Sequence, residues 1–187
     1  MAKSAQEELV KYLTQAHAME KQSALLLNRG ADIAGDTEIA AIYRAHLLQT
    51  NEHERYVDER LRAHGASPSK AMDVAMQAGA VGIGLVAQAA PDTPVRLAAT
   101  AFAYENLEVA SYRFLRRLAE RAGDAETTSV VERILEQEEA AVELVAGTFD
   151  RALEIALGEP PTSPLIPVTP LGKPSDRPSQ APEGQVQ

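Results

Sequence analysis

The sequence contains no cysteine and no tryptophan, and aromatic residues make up only 4% of its 187 positions. Without cysteine, disulfides, thiolate metal sites and thiol catalysis are excluded, so histidine, aspartate and glutamate are the strong metal ligands that remain. Basic residues are also scarce: 18 lysines and arginines stand against 27 acidic residues, and the formal charge is -9. Because nucleic acids and anionic membrane surfaces bind through lysine and arginine, we expect neither as a partner.

Long apolar runs are also missing. The N-terminus lacks the continuous apolar segment of a secretory signal, and no stretch reaches the ~18 apolar residues needed to span a bilayer. These absences predict a cytoplasmic protein. The length of the chain fits one domain with an additional tail.

The C-terminal segment differs in composition from the rest of the chain. Eight of the eleven prolines lie in residues 158–187, and proline interrupts helices because it lacks a backbone donor. We therefore predict a globular domain over residues 1–157 and a Pro-rich tail, extended or disordered, over 158–187. Residues 163–173 form an apolar island of the kind that docks in a groove. A purely solubilising tail is the alternative.

Ahead of the tail, apolar residues recur at three- and four-residue steps and strand patterns are missing, which predicts an all-α fold. Helix signals predict four long helices, over about residues 5–30, 37–64, 93–123 and 124–157. Short breaks make each consecutive pair an antiparallel hairpin, whereas about 27 residues, partly helical, connect the two pairs. That connection is long enough to return along an antiparallel four-helix bundle, as in ferritin-like folds. The alternative is a fifth helix packed at one end.

Every predicted helix has polar residues in the middle of its apolar stripe. They are Glu20 on the first helix, His46, Gln49 and His53 on the second, Glu105 and Glu108 on the third, and Glu138 on the fourth. The centres of similar antiparallel helices lie at one level, so these side chains are expected to meet. Four carboxylates in a dry core need compensating cations. The sequence therefore predicts a pair of divalent metal ions, for which iron or manganese suits oxygen-rich ligation with one or two imidazoles.

The predicted metal ligands are Glu20, Gln49, His53, Glu105, Glu108 and Glu138. Two further side chains, His46 and Tyr112, are expected to support the ligands through hydrogen bonds. A structural interpretation of single residues stays open, with Gln49 as a neutral hydrogen-bonding core residue and His46 as a satisfied core histidine. The coincidence of polar residues at four helix centres favours the metal interpretation.

Four segments of the chain resemble motifs of the YciE/YciF-type ferritin-like family, which comprises bacterial stress-associated proteins. The segments are AMEKQ at 18–22, HLLQTNEH at 46–53, ENLEVASY at 105–112 and LEQEE at 135–139. The resemblance implies handling of iron or of peroxide during stress. It also reveals departures, because Gln49 stands where the family has a carboxylate, His53 where it has glutamine, and Val142 where it has an acidic residue. Either His53 compensates, so that two irons bind, or one metal position is weak or lost.

Two functions are compatible with these features. The first is a di-iron carboxylate protein, a ferroxidase- or peroxidase-like oxidoreductase whose metals react with oxygen or peroxide. The second is a non-enzymatic bundle with a degenerate metal site, which works as an interaction module through its tail. The tail is similar in organisation to the cargo-loading peptides of ferritin-like proteins packaged in encapsulin shells. A homo-oligomer, most simply a dimer, is expected because long bundles commonly pair through a helix face.

Overall fold

The structure, a computed structural model, describes residues 4–88, 93–162 and 165, with only the backbone for residues 80–88. All regular structure in these residues is helical: α1 (Ala5–Ile33), α2 (Thr37–Ala63), α3 (Lys70–Gln88), α4 (Thr93–Ala122), α5 (Ala125–Ala146) and α6 (Phe149–Leu157). The predicted all-helical fold is confirmed. None of these helices, as far as they are described, is long and apolar enough to cross a membrane. Most of the predicted tail lies outside the described residues.

Three helices begin where their capping residues predict. The Ser4 hydroxyl accepts a hydrogen bond from the Glu7 amide at 3.1 Å, and the Glu7 carboxylate accepts one from the Ser4 amide at 2.9 Å. Asp36 and Asp124 cap α2 and α5 in the same way, by accepting hydrogen bonds from amides of the first turn. Such caps satisfy backbone donors that have no partner within the helix.

Two predicted helix ends are wrong. The helix α1 continues past Gly30 to Ile33, because Gly35 is the residue that adopts the left-handed conformation, with φ of 71°. The predicted continuous helix over 124–157 is two helices, α5 and α6, separated at Gly147 and Thr148. The Thr148 hydroxyl donates to the Val145 carbonyl at 2.7 Å, which competes with the helical hydrogen-bond pattern next to a poor helix former.

The connection between α2 and α4 contains the helix α3, which packs mainly along α1 and also contacts α4. An ionic contact fixes this packing, because Asp73 on α3 lies 3.3 Å from Nδ1 of His17 and 3.6 Å from Nζ of Lys21, both on α1. The last residues of the connection, 89–92, lie outside the described part of the chain.

Among the residues with described side chains, two apolar clusters form the core, and four helices contribute to both of them. The first cluster includes Leu9 and Leu13 of α1, Val57 and Leu61 of α2, Tyr112 and Leu115 of α4, and Val131 and Ile134 of α5. The second includes Leu27 of α1, Ile39 and Ile42 of α2, Leu97 of α4, and Val145 of α5. Therefore α1 and α5 run from the first cluster to the second, whereas α2 and α4 run in the opposite direction.

Candidate metal centre

A layer of six polar side chains lies between the two apolar clusters. It consists of Glu20 on α1, His46 and His53 on α2, Glu105 and Glu108 on α4, and Glu138 on α5, and none is more than 4% exposed. Helical spacing explains how each side chain reaches the core, since each continues the apolar stripe of its helix. These six side chains therefore lie together in one buried layer, where the centres of the four helices meet.

The ligand atoms of this layer form two groups that could each hold a metal ion. One group comprises Glu20, His53 and Glu138, and the other comprises His46, Glu105, Glu108 and Glu138. Within each group the atoms lie within 4.8 Å of one another. Glu138 belongs to both groups, so its carboxylate lies between the two positions.

Distances show how the two groups are connected. Nδ1 of His53 lies 2.8 Å from Oε1 of Glu138 and 3.6 Å from Oε2 of Glu20. On the other side, Nε2 of His46 lies 3.4 Å from Oε2 of Glu138 and 2.9 Å from Oε2 of Glu105. The two oxygens of Glu138 thus face different imidazoles, which is the arrangement of a bridging carboxylate.

Glutamine side chains orient both imidazoles. Nε2 of His53 lies 2.6 Å from Oε1 of Gln137, and Nδ1 of His46 lies 3.1 Å from Oε1 of Gln49. A carbonyl oxygen accepts, so the nitrogen facing each glutamine is the donor. In the neutral imidazoles, the lone pair is then on Nδ1 of His53 and Nε2 of His46, the nitrogens that face the carboxylates. This is how metal-binding histidines are commonly held.

Several buried atoms of the layer have no hydrogen-bond partner. They are Oε2 of Glu20, Nδ1 of His53, Oε1 of Glu108 and both carboxylate oxygens of Glu138. Buried polar atoms are almost always paired, and leaving one unpaired is costly. Carboxylate oxygens and an imidazole nitrogen are also the donors that iron and manganese accept. The residues therefore fit a metal site, which would supply the missing partner.

In Glu20 and Glu108, a hydroxyl group binds the carboxylate oxygen other than the one without a partner. The Tyr112 hydroxyl donates to Oε1 of Glu20, and the Ser23 hydroxyl donates to Oε2 of Glu108 at 3.1 Å. In both carboxylates, the oxygen without a partner is the one that the hydroxyl does not contact. Each hydroxyl therefore fixes the carboxylate and leaves one oxygen available.

Burial raises the pKa of three carboxyl groups in the layer. The pKa values of Glu20 and Glu108 lie above the ordinary value, and that of Glu105 is raised to about 7 although His46 opposes the shift. For Glu138 burial acts in the same direction, but the neighbouring His46 and His53 outweigh it and lower the pKa. Without a cation, burial thus favours the protonated, neutral form of Glu20, Glu105 and Glu108.

The two histidines show the complementary effect. Burial lowers their pKa, but close carboxylates outweigh it: Glu138 and Glu20 raise the pKa of His53 to about 10, and Glu105 and Glu138 raise that of His46 well above its ordinary value. In the metal-free layer, protons on the imidazoles balance part of the carboxylate charge. Divalent ions would take over this role, since metal binding displaces protons from its ligands.

The structure brings together five of the predicted ligands, Glu20, His53, Glu105, Glu108 and Glu138. Gln49, the sixth, contacts Nδ1 of His46, whereas His46, predicted as a supporting residue, directs Nε2 into the layer. Tyr112 contacts Glu20.

Sequence reasoning did not identify Ser23 and Gln137 as functional residues. Ser23 lies in the predicted apolar stripe of α1, where a polar residue could have indicated a contact with the buried layer. Gln137 lies beside the apolar stripe of α5, so its position in the sequence did not indicate such a contact.

Fold and site together define an all-helical protein with a buried layer of carboxylates and imidazoles that is compatible with metal binding. The chain belongs to the family described as domain of unknown function DUF892, whose model matches residues 4–156. This match, together with the similarity to YciF described next, confirms the YciE/YciF-type family that the sequence motifs indicate.

The chain is similar to several solved structures, including the following three. A protein from Xanthomonas campestris pv. campestris is 25% identical with a TM-score of 0.69, and the match covers 82% of this chain and 96% of that one. YcfI from Rhodopseudomonas palustris is 20% identical with a TM-score of 0.69, over 77% and 94% of the two chains. The stress protein YciF from E. coli is 22% identical with a TM-score of 0.68, over 85% and 100%.

Proposed function

We propose that this protein is a ferritin-like di-metal carboxylate protein that binds two iron ions and uses them in reactions with oxygen or peroxide. The observation that carries the proposal is the set of unpartnered buried atoms, which converge on two positions joined by Glu138. Manganese suits the same donors and is the alternative metal. The E. coli relative YciF is described as a stress protein, and we extend that setting to this chain.

Each metal position has its own set of ligands. Glu20, His53 and Oε1 of Glu138 would hold one ion. His46, Glu105, Glu108 and Oε2 of Glu138 would hold the other. Gln137 and Gln49 would then fix the two imidazoles from outside, as the partners of metal-binding histidines do. In this assignment His53 and His46 compensate for the missing carboxylate at Gln49.

The directions of the helices support the ferritin-like part of the proposal. Because α1 and α5 run opposite to α2 and α4, each consecutive pair is antiparallel, and the connection through α3 must return along the bundle. One long crossover of this kind distinguishes ferritin-like bundles from simple up-and-down bundles. Metal sites of that fold class use glutamates and histidines that project inward from facing helices.

Bound iron would supply the electron-transfer chemistry with oxygen or peroxide. The protein's own contribution is to bind and orient. The apolar clusters on both sides of the layer exclude water, which strengthens the electrostatic interactions of the carboxylates. Tyr112 and Ser23 hold Glu20 and Glu108 in fixed orientations, which reduces the rearrangement needed on binding.

The proposal is tested by metal analysis of the full-length chain with a matched pair of variants. Glu138→Gln removes the bridging charge with little change in shape, whereas Glu139→Gln changes the adjacent glutamate, which is on the surface and contacts Arg113. Protein loaded with ferrous iron under anaerobic conditions and passed through a desalting column is analysed for iron. We expect about two ions per chain in the wild type and in Glu139→Gln, and fewer than one in Glu138→Gln, since both positions lose a ligand.

The same samples are then exposed to oxygen or hydrogen peroxide, and the formation of ferric iron is followed by absorbance. Faster oxidation in the wild type than in Glu138→Gln would support an oxidoreductase. If the wild type retains no metal, the di-metal proposal fails and an interaction module becomes the better hypothesis. If metal binds but oxidation is no faster than in free solution, the site binds metal without the proposed chemistry.

A further inference from the structure

A groove on the surface of the bundle lies between α1, α3 and α4. It has a volume of about 370 Å³, which falls within the range of about 300–1,000 Å³ that is typical of sites for small molecules. Its buried side consists of Ala16, Met19 and Leu115, all of the first apolar cluster. The more accessible apolar residues are Tyr12, Met72, Met76, Leu107 and Phe114. Two further lining residues are polar: Gln15 is exposed, and the Ser111 hydroxyl donates to the Leu107 carbonyl at 2.8 Å.

Large apolar side chains of this groove are exposed to solvent. Phe114 is 61% exposed, Leu107 is 52% exposed and Tyr12 is 37% exposed. Single exposed apolar side chains are ordinary, but several that line one groove are typical of a binding site. Three of the four methionines of the sequence also line the groove. Because methionine is unbranched and flexible, such a surface adapts to apolar ligands of variable shape.

Two arginines lie beside the groove. Tyr12 and Phe114 also line an adjoining depression of about 280 Å³, together with Glu8, Arg117, Leu118 and Arg121. Arg117 and Arg121 are exposed and lie one helical turn apart. The carboxylate of Glu8, the acidic residue of this depression, lies 3.4 Å from Nζ of Lys11. Positive charge therefore predominates at this end of the groove, although the whole protein carries a formal charge of -9.

The other two arginines in this part of α4 differ from this pair. Arg113 and Arg116 form ion pairs with glutamates of α4 and α5. Arg117 and Arg121 form no ion pair with any residue in the described part of the chain. A guanidinium group binds a carboxylate through two parallel hydrogen bonds. The pair is therefore available to an anionic ligand whose apolar part lies in the groove.

The size of the groove favours a single chain over a folded partner. Two turns of an α-helix, about 10 Å wide with side chains and about 11 Å long, occupy roughly 850 Å³, which exceeds the volumes of the groove and the depression together. A docked helix would therefore lie mostly outside, whereas an extended alkyl chain can lie within the groove. An alkyl chain has no polar group, so a head group at its end would pair with the arginines.

We propose that this groove binds one free fatty acid, with the alkyl chain between α1, α3 and α4 and the carboxylate beside Arg117 and Arg121. The alkyl chain covers the exposed apolar surface and removes it from water, and the carboxylate compensates the charge of the two arginines. An anionic membrane is not the expected source of this ligand, because the protein's charge of -9 repels such a surface. The inference goes beyond the proposed metal chemistry and needs no metal.

The test uses the metal-free, full-length chain and laurate below its critical micelle concentration. Isothermal titration calorimetry should show one laurate per chain. In the double variant Arg117→Gln, Arg121→Gln the affinity should fall about tenfold, because the carboxylate loses both of its charged partners. Lauryl alcohol has the same alkyl chain but no charge, so it should bind the wild type and this variant equally.

Two pairs of variants separate direct from indirect effects. The double variant Arg113→Gln, Arg116→Gln changes the net charge by the same amount on the same helix, and it should bind laurate as the wild type does. Leu107→Gln places a polar group in the groove and should weaken laurate and lauryl alcohol alike. Leu48→Gln changes a leucine of α2 that is 70% exposed and does not line the groove, and it should have no effect. Circular dichroism checks that each variant is folded.

The fatty-acid proposal is overturned if laurate does not bind the wild type, or if the Arg117 and Arg121 variant loses no more affinity than the Arg113 and Arg116 variant. Sedimentation velocity identifies another occupant: absence of laurate binding, together with a wild-type dimer that Leu107→Gln dissociates, would assign the groove to a second copy of the chain. Binding to phosphatidylglycerol vesicles but not to laurate would also reject it. Each of these results leaves the metal proposal untouched, because the titrations contain no metal.

Discussion

Oε1 of Glu138 lies 2.8 Å from Nδ1 of His53, yet these two buried atoms form no hydrogen bond. At this distance the two groups form an ion pair when the imidazole is protonated. Both atoms also lie near Oε2 of Glu20, which has no partner either. Three groups whose ligand atoms lie within 4.8 Å of one another, and whose facing atoms lack hydrogen-bond partners, are arranged as the ligands of a shared cation.

The two proposed metal positions are expected to be separable. Removing the imidazole in His53→Ala should reduce the iron content from about two ions to one per chain, because the other position keeps all its ligands. His46→Ala is the matched variant and should also leave one ion. Iron content of both proteins, loaded side by side with the wild type, provides the measurement. Complete loss of iron in His53→Ala would show that the positions are not independent.

Gln137 is expected to affect the metal although it is not a ligand. Gln137→Leu removes the acceptor that holds Nε2 of His53, so the imidazole loses its orientation. We expect affinity for ferrous iron at the His53 position to fall by about 10- to 100-fold. Competition with a chelator of known affinity measures the change. The adjacent exposed Glu136→Gln is the control, and equal loss of affinity in both variants would argue against a specific role for Gln137.

Removing a buried carboxylate should stabilise the metal-free protein. Glu108 has an unpartnered oxygen, and burial together with the charges of Glu138, Glu20 and Glu105 raises its pKa. The raised pKa means that folding at neutral pH requires this carboxyl to take up a proton, a cost that the always neutral Glu108→Gln avoids, so the free energy of unfolding should rise by about 1 kcal/mol in the presence of a chelator.

Urea denaturation with and without metal compares the free energies of unfolding of the wild type and Glu108→Gln. With metal added, the wild type should be the more stable protein, because it binds the ion more tightly. The exposed Glu132→Gln serves as the control. Destabilisation of the metal-free Glu108→Gln protein would contradict the prediction.

Asp124 is expected to make stability depend on pH at the start of α5. Burial acts against the charged form, but hydrogen bonds from Thr127 and the nearby Arg60 and His64 outweigh it and lower the pKa of Asp124. A lowered pKa means that the stabilisation is fully present above the unfolded-state value of about 4 and is lost as the pH falls through the folded-state value.

Asp124→Asn tests this, because asparagine still caps a helix but carries no charge. At pH 7 the variant should be less stable than the wild type by about 1 kcal/mol. The difference should narrow as the pH falls from about 5 toward 2. Urea denaturation at several pH values measures it, with the exposed Asp32→Asn as the control. A difference that stays constant with pH would show that the charge of Asp124 is not its source.

The sequence by itself determined the helical fold and the level at which the functional layer lies. Capping residues such as Ser4 and Asp124 act on their own first turn, so they mark helix starts without tertiary information. Glu20 and Glu138 interrupt apolar stripes whose direction follows from the 3.6-residue period. For this reason five of the predicted ligands lie together in the structure.

Only the tertiary structure decided which atom of each side chain faces which partner. The helical period defines the face on which a residue lies but not its rotamer. It places His46 and Gln49 on the inner side of α2, but it does not show that the side-chain oxygen of Gln49 contacts Nδ1 of His46. The contact of Gln137 with His53 joins α5 to α2 and depends on how the two helices pack. Local interactions within each helix therefore determined the secondary structure and the level of the polar layer, and packing between helices determined the geometry of the site.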